Sequence, residues 1–206
     1  MKNLRVVAFD CDGVLFDTAE ANRAYYNHIL AHFGRRPMDR AQLLYVHAHT
    51  IQQALEHLFE DDAQRQAAMD FRRSIDYGPF LKCLTIEPDL VDLLDWMRGK
   101  FRTAIATNRT DTMNRLLQEF GLSARFDFVV TSLDVKRPKP FPDPLLKILT
   151  HFKAQPHQAL FVGDSDVDAS TARAAAVPFV AYRNPALEAD YHIGQLKDLR
   201  ALLSSE

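Results

Sequence analysis

The sequence predicts an α/β fold in which a buried parallel sheet is covered by crossover helices, and three observations lead there. Short apolar, β-branched-rich runs recur at residues 5–9, 103–107, 126–131, 159–163 and 177–182, the pattern of strands buried on both faces. The stretches between them read as helical, and the later runs follow at roughly 25-residue intervals, near the length of a βαβ repeat. The first two runs lie about ninety residues apart, so a further module is inserted after strand one.

Taken in order, Arg5-Val6-Val7-Ala8-Phe9 is continuously apolar up to Asp10, as a central strand should be. The insertion is then helical. Asp17 or Thr18 can cap its first helix, Ala21, Tyr25, Ile29 and Phe33 form one stripe, and Gly34 can end it. Further helices are expected over residues 51–59 and 61–75, and Gly78-Pro79 punctuates the return. The expected organisation is a core of residues 1–16 and 79–206 and a helical insertion of residues 17–78. The chain has no internal repeat and no low-complexity segment.

At 206 residues and 47% hydrophobic content, the chain can bury one good core and a small second module. Lys and Arg total 25 against 27 Asp and Glu, a net charge of −2. That balance gives no footprint for nucleic acid or anionic lipid, so any anion must be held locally. Only Val6-Val7-Ala8-Phe9 separates Arg5 from Asp10, too short for a signal-peptide core or a membrane span, and a cytoplasmic location is expected. Cys11 and Cys83 have neither CxxC nor Cys/His ligand spacing and read as small apolar fillers. Nothing in the pattern determines an oligomeric state.

The chemistry is expected where strands end. Ligands of open α/β sheets bind at the carboxyl ends of strands, and Asp10-Cys11-Asp12-Gly13 stands immediately beyond the first. Two acids one residue apart lie on one side of an extended chain. One can attack while the other handles protons, and a divalent cation would relieve their repulsion. Taken alone, Asp-x-Asp-Gly also occurs in solvated turns. The fourth run leads into Gly163-Asp164-Ser165-Asp166-Val167-Asp168. Asp164, first past the strand, is the expected ligand for Mg2+, a hard ion that takes few protein carboxylates. Asp168 could hold a metal-bound water or pair with a lysine, and Asp166 has the weaker claim. Thr107 offers a hydroxyl and Asn108 a main-chain NH beside the next helix, both suited to a phosphoryl oxygen. Lys139, stiffened by Pro140 and Pro142, offers a compact positive charge.

Four such segments in this order, Asp10-x-Asp12-Gly13-Val14, Thr107-Asn108, Lys139-Pro140-x-Pro142 and Gly163-Asp164-Ser165-x-x-Asp168, resemble the haloacid dehalogenase superfamily. The resemblance covers the whole chain and is nearest to the phosphoglycolate phosphatase and β-phosphoglucomutase branch, which carries a helical cap at the position of this insertion. It implies a Rossmann-like core, a mobile helical lid and a small phosphorylated metabolite as substrate. Carried over, Asp10 is the nucleophile and forms an aspartyl-phosphate, while Asp12 protonates the leaving oxygen and then activates water. Mg2+ would sit between the Asp10 carboxylate, the Asp12 carbonyl and Asp164, with Thr107, Asn108 and Lys139 on the phosphoryl oxygens. Asp12 also favours phosphate esters, because the superfamily's dehalogenases and phosphonatases lack this acid.

This implies an Mg-dependent phosphatase; a phosphosugar mutase and a non-catalytic binding relative are the alternatives. Two departures from the family stand out. Ala174-Ala175-Ala176 replaces the usual Ala-Ala-Gly, with Pro178 available to stop the helix. Where relatives place a Gly-rich substrate loop, this chain has Tyr45-Val46-His47-Ala48-His49-Thr50, so the substrate does not transfer. His47 and His49 lack a neighbouring acidic or Cys partner for a metal and read first as packed or solvated. Arg35, Arg36 and Arg40 read as a charged surface before a carboxylate reader. Arg109, beside Thr107-Asn108, is the arginine nearest the expected chemistry and a candidate phosphate contact.

Overall fold

The structure is a computed structural model that describes residues 3–204. Its first half runs β1 (Val6–Phe9), β2 (Phe16–Asp17), α1 (Ala19–His32), α2 (Arg40–Ala48), α3 (Ile51–Leu58), α4 (Asp62–Ser74), α5 (Gly78–Leu81) and β3 (Thr85–Ile86). There follow α6 (Leu90–Met97), β4 (Arg102–Ala106), α7 (Thr112–Glu119), β5 (Phe128–Val130), α8 (Asp143–Phe152), β6 (Ala159–Gly163), α9 (Asp166–Ala175), β7 (Phe179–Tyr182), β8 (Tyr191–Ile193) and α10 (Asp198–Ser204). Two compact units result, one from the segment up to Phe16 with that from Ile86 onward, the other from Asp17–Thr85.

In the first unit, six strands among the described residues form one sheet in the order β5-β4-β1-β6-β7-β8, and the neighbours pair parallel. β1 is fully buried, which is why it carries no polar residue until Asp10. Val6 and Ala8 lie in one cluster with Ala104, Ala106, Phe161, Phe179, Leu145 of α8 and Ala172 of α9, while Val7 and Phe9 are buried on the opposite face. Because Phe9 is in register with both Ile105 and Val162, the residues just beyond β1, β4 and β6 emerge side by side. The strand order reverses at β1, which makes that edge the switch point where α/β sheets bind ligands.

The sheet has one strand more than the sequence runs indicate. β8 is only Tyr191-His192-Ile193, too short and too polar to stand out as a run. α9 ends with Ala176 in the left-handed conformation at φ 54°, so Ala occupies a position where Gly carries no steric cost.

In the second unit the stripe expected in α1 is present, with Ala21, Tyr25 and Ile29 buried. Its capping differs in detail: Thr18 makes no side-chain cap bond, and the Asp17 carboxylate instead accepts from the Ala19 amide at 3.2 Å. α2 has no counterpart in the sequence reading. It starts at Asp39, whose side chain accepts from Gln42 N at 2.8 Å while Gln42 Oε1 accepts from Asp39 N at 3.0 Å, a capping box. Thr50 and Gln53 repeat the device for α3. The segment that replaces a Gly-rich loop is therefore a helix end followed by a capped helix start. Gly78-Pro79 open α5 with proline in its first turn, and the chain returns to the core unit only at Ile86. Among the described residues no helix is long and apolar enough to cross a membrane.

Candidate active site

The loop after β1 is tied into a tight reversal. Gly13 N donates to Phe16 O at 2.8 Å and Leu15 N to Cys11 O at 3.0 Å. Gly13 sits at φ 79°, and a Cβ there would collide with the Asp164 carboxylate. Glycine is thus required twice, by the backbone and by the close approach of Asp164.

Lys139 lies at the centre, with 1% of its surface exposed. Its Nζ donates to Asp168 Oδ1 at 2.6 Å and stands 2.7 Å from Asp10 Oδ1. Burial opposes the ammonium charge, but Asp10 and Asp168 hold its pKa above the ordinary lysine value. The other Asp168 oxygen accepts from Ser165 Oγ at 2.5 Å and from the amides of Ser165 and Asp164 at 3.2 and 3.3 Å. With both oxygens committed, Asp168 orients the lysine and the loop and has the weakest claim to ligate an ion. Asp166 is exposed.

Asp10, Asp164 and Asp168 bring carboxylate oxygens within 4.8 Å of one another. Burial first, then the charge of Asp168, raises the Asp10 pKa to about 7; burial, Asp168 and Asp10 raise that of Asp164 to about 8. Three crowded carboxylates against one ammonium fit a hard divalent cation, whose charge would restore the ionised forms. The donor set would suit Mg2+, with Asp10 and Asp164 the residues placed to hold it. The Asp12 carboxylate is not in this cluster, which leaves only its carbonyl for the ligand role the family resemblance implies. Asn184, just beyond β7, donates to Asp164 O at 2.8 Å and braces the loop from a position no motif marks.

Asp12 turns instead to Arg109. The guanidinium makes two 2.8 Å bonds, Nε to Oδ2 and Nη2 to Oδ1, with 7% and 11% of the two side chains exposed. A buried bidentate fork fixes both position and plane of the carboxylate. Arg109 is thus placed on the acid, although the sequence pointed to a phosphate contact. The buried Thr107 hydroxyl accepts from Arg109 N at 3.1 Å, and Asn108 Nδ2 donates to Lys139 O at 3.1 Å. Apart from Asp166, the candidates of the core unit are therefore gathered in one cluster at the strand ends. Cys11 is buried beside it, and burial followed by the charge of Asp12 pushes its thiol pKa well up, unlike a reactive thiolate.

His47, His49 and Arg35 have partners within the inserted unit. His47 Nδ1 lies 3.0 Å from Asn22 Nδ2. His49 Nδ1 is 2.8 Å from Tyr45 O, and its ring stacks on Tyr45 at 3.9 Å. Arg35 donates to Leu58 O and Gln64 Oε1, both at 2.8 Å, and lies over Phe59. Arg36 and Arg40 are exposed.

A family model described as haloacid dehalogenase-like hydrolase matches residues 7–182. Pyrophosphatase PpaX of Bacillus velezensis is 27% identical, over 96% of this chain and 95% of that protein. Fructose-1-phosphate phosphatase YqaB of Escherichia coli is 30% identical, over 85% and 94%. Among solved structures, a HAD-superfamily hydrolase of subfamily IA, variant 1, from Geobacter sulfurreducens is 38% identical and superposes with a TM-score of 0.79 over 98% and 97% of the two chains. The match runs from β1 through β7 and takes in all four motif-bearing segments of the site: the chain belongs to the haloacid dehalogenase-like hydrolases.

Proposed function

We propose that the protein is an Mg2+-dependent phosphatase of a small phosphorylated metabolite, working through an aspartyl-phosphate on Asp10. The observation that carries this reading is the position of Asp10, with Lys139 Nζ 2.7 Å from Oδ1 and the second acid, Asp12, two residues further on and held by Arg109. Relatives named as phosphatases of fructose 1-phosphate and as pyrophosphatase support the substrate class.

In the first step an Asp10 oxygen forms a bond to phosphorus as the ester P–O bond breaks, and the departing oxygen takes a proton from Asp12, which must first take up that proton from solvent and release one of its two Arg109 bonds. In the second, water attacks the phosphoryl group and loses its proton to Asp12, which frees Asp10 and inorganic phosphate. Lys139 and the Thr107 hydroxyl oppose charge on the phosphoryl oxygens, while Asp168 keeps the lysine in place. Bound by Asp10, Asp164 and the Asp12 carbonyl, Mg2+ would supply further neutralisation of those oxygens.

The test is to trap the intermediate. With a substrate labelled in its phosphoryl group, an acid quench during turnover should leave label on the peptide containing Asp10, discharged by hydroxylamine. Asp10→Asn should carry no label and lose turnover by at least about a thousandfold. Turnover within about tenfold of wild type in that variant, or no label during steady turnover, would remove the covalent mechanism.

A further inference from the structure

A cavity of about 390 Å³ opens in the core unit at the amino ends of β1 and β4. Arg5 precedes β1, Arg98 and Lys100 lie in the turn after α6, Arg102 begins β4, and Arg125 and Asp127 lead towards β5; all six line it. Five cations and one carboxylate thus face one space in a chain whose net charge is −2. The framework is built from sheet ends: Arg102 N donates to Arg5 O at 2.8 Å, Asp127 N to Thr103 O at 2.9 Å, and Thr103 Oγ1 to Arg125 O at 3.1 Å. Gly99, at φ 78°, lets the chain reverse between α6 and β4.

Internal pairing accounts for part of this charge. Arg102 bonds Asp127 at 3.1 Å, and Arg125 pairs with Asp95, which lies outside the lining. The Arg5 guanidinium donates to the Lys153 carbonyl, at 3.3 Å, and Lys100 Nζ rests 4.1 Å over the ring of Trp96. Arg98 has no side-chain partner among the described residues. Arg5, Arg98 and Lys100 therefore line the cavity with no carboxylate paired to them among the described residues, and like charges gathered on one framework of sheet ends raise the local affinity for an anion.

We propose that this cavity is a second binding site, separate from the hydrolytic one, for a small polyanion carrying two or more phosphate groups. Its volume is in the range of small-molecule sites. Three unmatched cations exceed what one phosphate neutralises, and guanidinium groups bind phosphate oxygens in pairs. A local basic depression on an otherwise slightly acidic chain fits a metabolite, where a nucleic acid would need an extended basic stripe. Arg5 and Asp10 stand at opposite ends of β1, as do Arg102 and Thr107 on β4, about 16 Å apart at the rise of a strand. The two sites can therefore be occupied independently.

Trp96 is the chain's single tryptophan and packs against Lys100 and Phe101 of the lining, the latter at 6.1 Å. Its fluorescence is a local reporter. Inorganic pyrophosphate would be titrated into the full-length protein at constant ionic strength in EDTA, with calorimetry in parallel. A saturable fluorescence change is expected, with a Kd at least about tenfold lower than for inorganic phosphate or sulfate. Arg98→Gln, at an exposed and unpartnered side chain, should raise that Kd about tenfold or more, with kcat/KM for an aryl phosphate within about twofold of wild type. Lys100→Gln, read by calorimetry, gives an independent variant. No saturable change, an equal response to sulfate, or undiminished binding in both variants would overturn the proposal.

Discussion

Arg109 and Asp12 form a buried two-point pair, both bonds 2.8 Å long, between residues from different strand ends. If Asp12 is the proton donor, the value of holding it depends on the leaving group, because an alkoxide needs the proton and an aryl oxide hardly does. Arg109→Ala should lower kcat/KM about a hundredfold on an alkyl phosphate and less than about tenfold on an aryl phosphate. Arg109→Lys, a point charge without the fork, should recover only part of the loss. Steady-state kinetics on the two ester types checks this, and equal losses would assign Arg109 to the phosphoryl oxygens instead.

Lys139 is the one cation within bonding distance of both Asp10 and Asp168 among the described residues, at 2.7 and 2.6 Å. Lys139→Ala would leave two buried carboxylates facing each other, and breaking a buried pair from one side costs about 3–5 kcal/mol. The urea midpoint should fall accordingly in EDTA. The loss should shrink in excess Mg2+, which supplies charge to the same cluster. A change below about 1 kcal/mol would mean that water reaches these groups and screens them.

The raised pKa values of Asp10 and Asp164, about 7 and about 8, tie stability to pH with a definite sign. An unfolded carboxyl group loses its proton near pH 4. From there up to the folded values, the native state binds more protons than the unfolded chain, so stability falls as pH rises. In EDTA the thermal midpoint should therefore drop between pH 5 and pH 8. Mg2+ competes with those protons, so the rise in midpoint on adding it should be larger at pH 8 than at pH 5. An increment equal at the two pH values would separate the metal site from these two carboxylates.

The strands and the side chains gathered at their ends were legible because burial on both faces makes a parallel strand a continuous apolar run, and each run stops at a polar residue of the candidate site: Asp10, Thr107, Asp164. α2 was not. Leu43-Leu44-Tyr45-Val46 is an unbroken apolar stretch in which Leu44 is 65% exposed, so it lacks the spacing of a one-sided helix. The local marker that could have revealed it was Asp39 with Gln42 three residues on. The Arg109–Asp12 pair joins residues 97 apart, and Asn184 reaches Asp164 from 20 residues away. Both contacts depend on which strand lies beside which, information that spacing along the chain does not hold.

Ala176 offers a test of that local reading in the opposite direction, as a residue whose backbone asks for something else. It is exposed and ends α9 at φ 54°. Its amide donates to Arg173 O at 3.1 Å and that of Val177 to Ala172 O at 3.0 Å, the paired bonds of a Schellman ending. A left-handed residue with a Cβ costs about 1–2 kcal/mol, whereas glycine adds about 0.4–1 kcal/mol of unfolded-chain entropy to be overcome. Ala176→Gly should therefore stabilise the protein by about 0.5–1 kcal/mol and raise its thermal midpoint by about 1–4 °C. Ala174→Gly, exposed two residues earlier but inside the helix, should instead destabilise by about 1 kcal/mol. The opposite signs separate relief of backbone strain from any general effect of glycine, and a loss of stability at both positions would mean that Ala176 carries no strain to relieve.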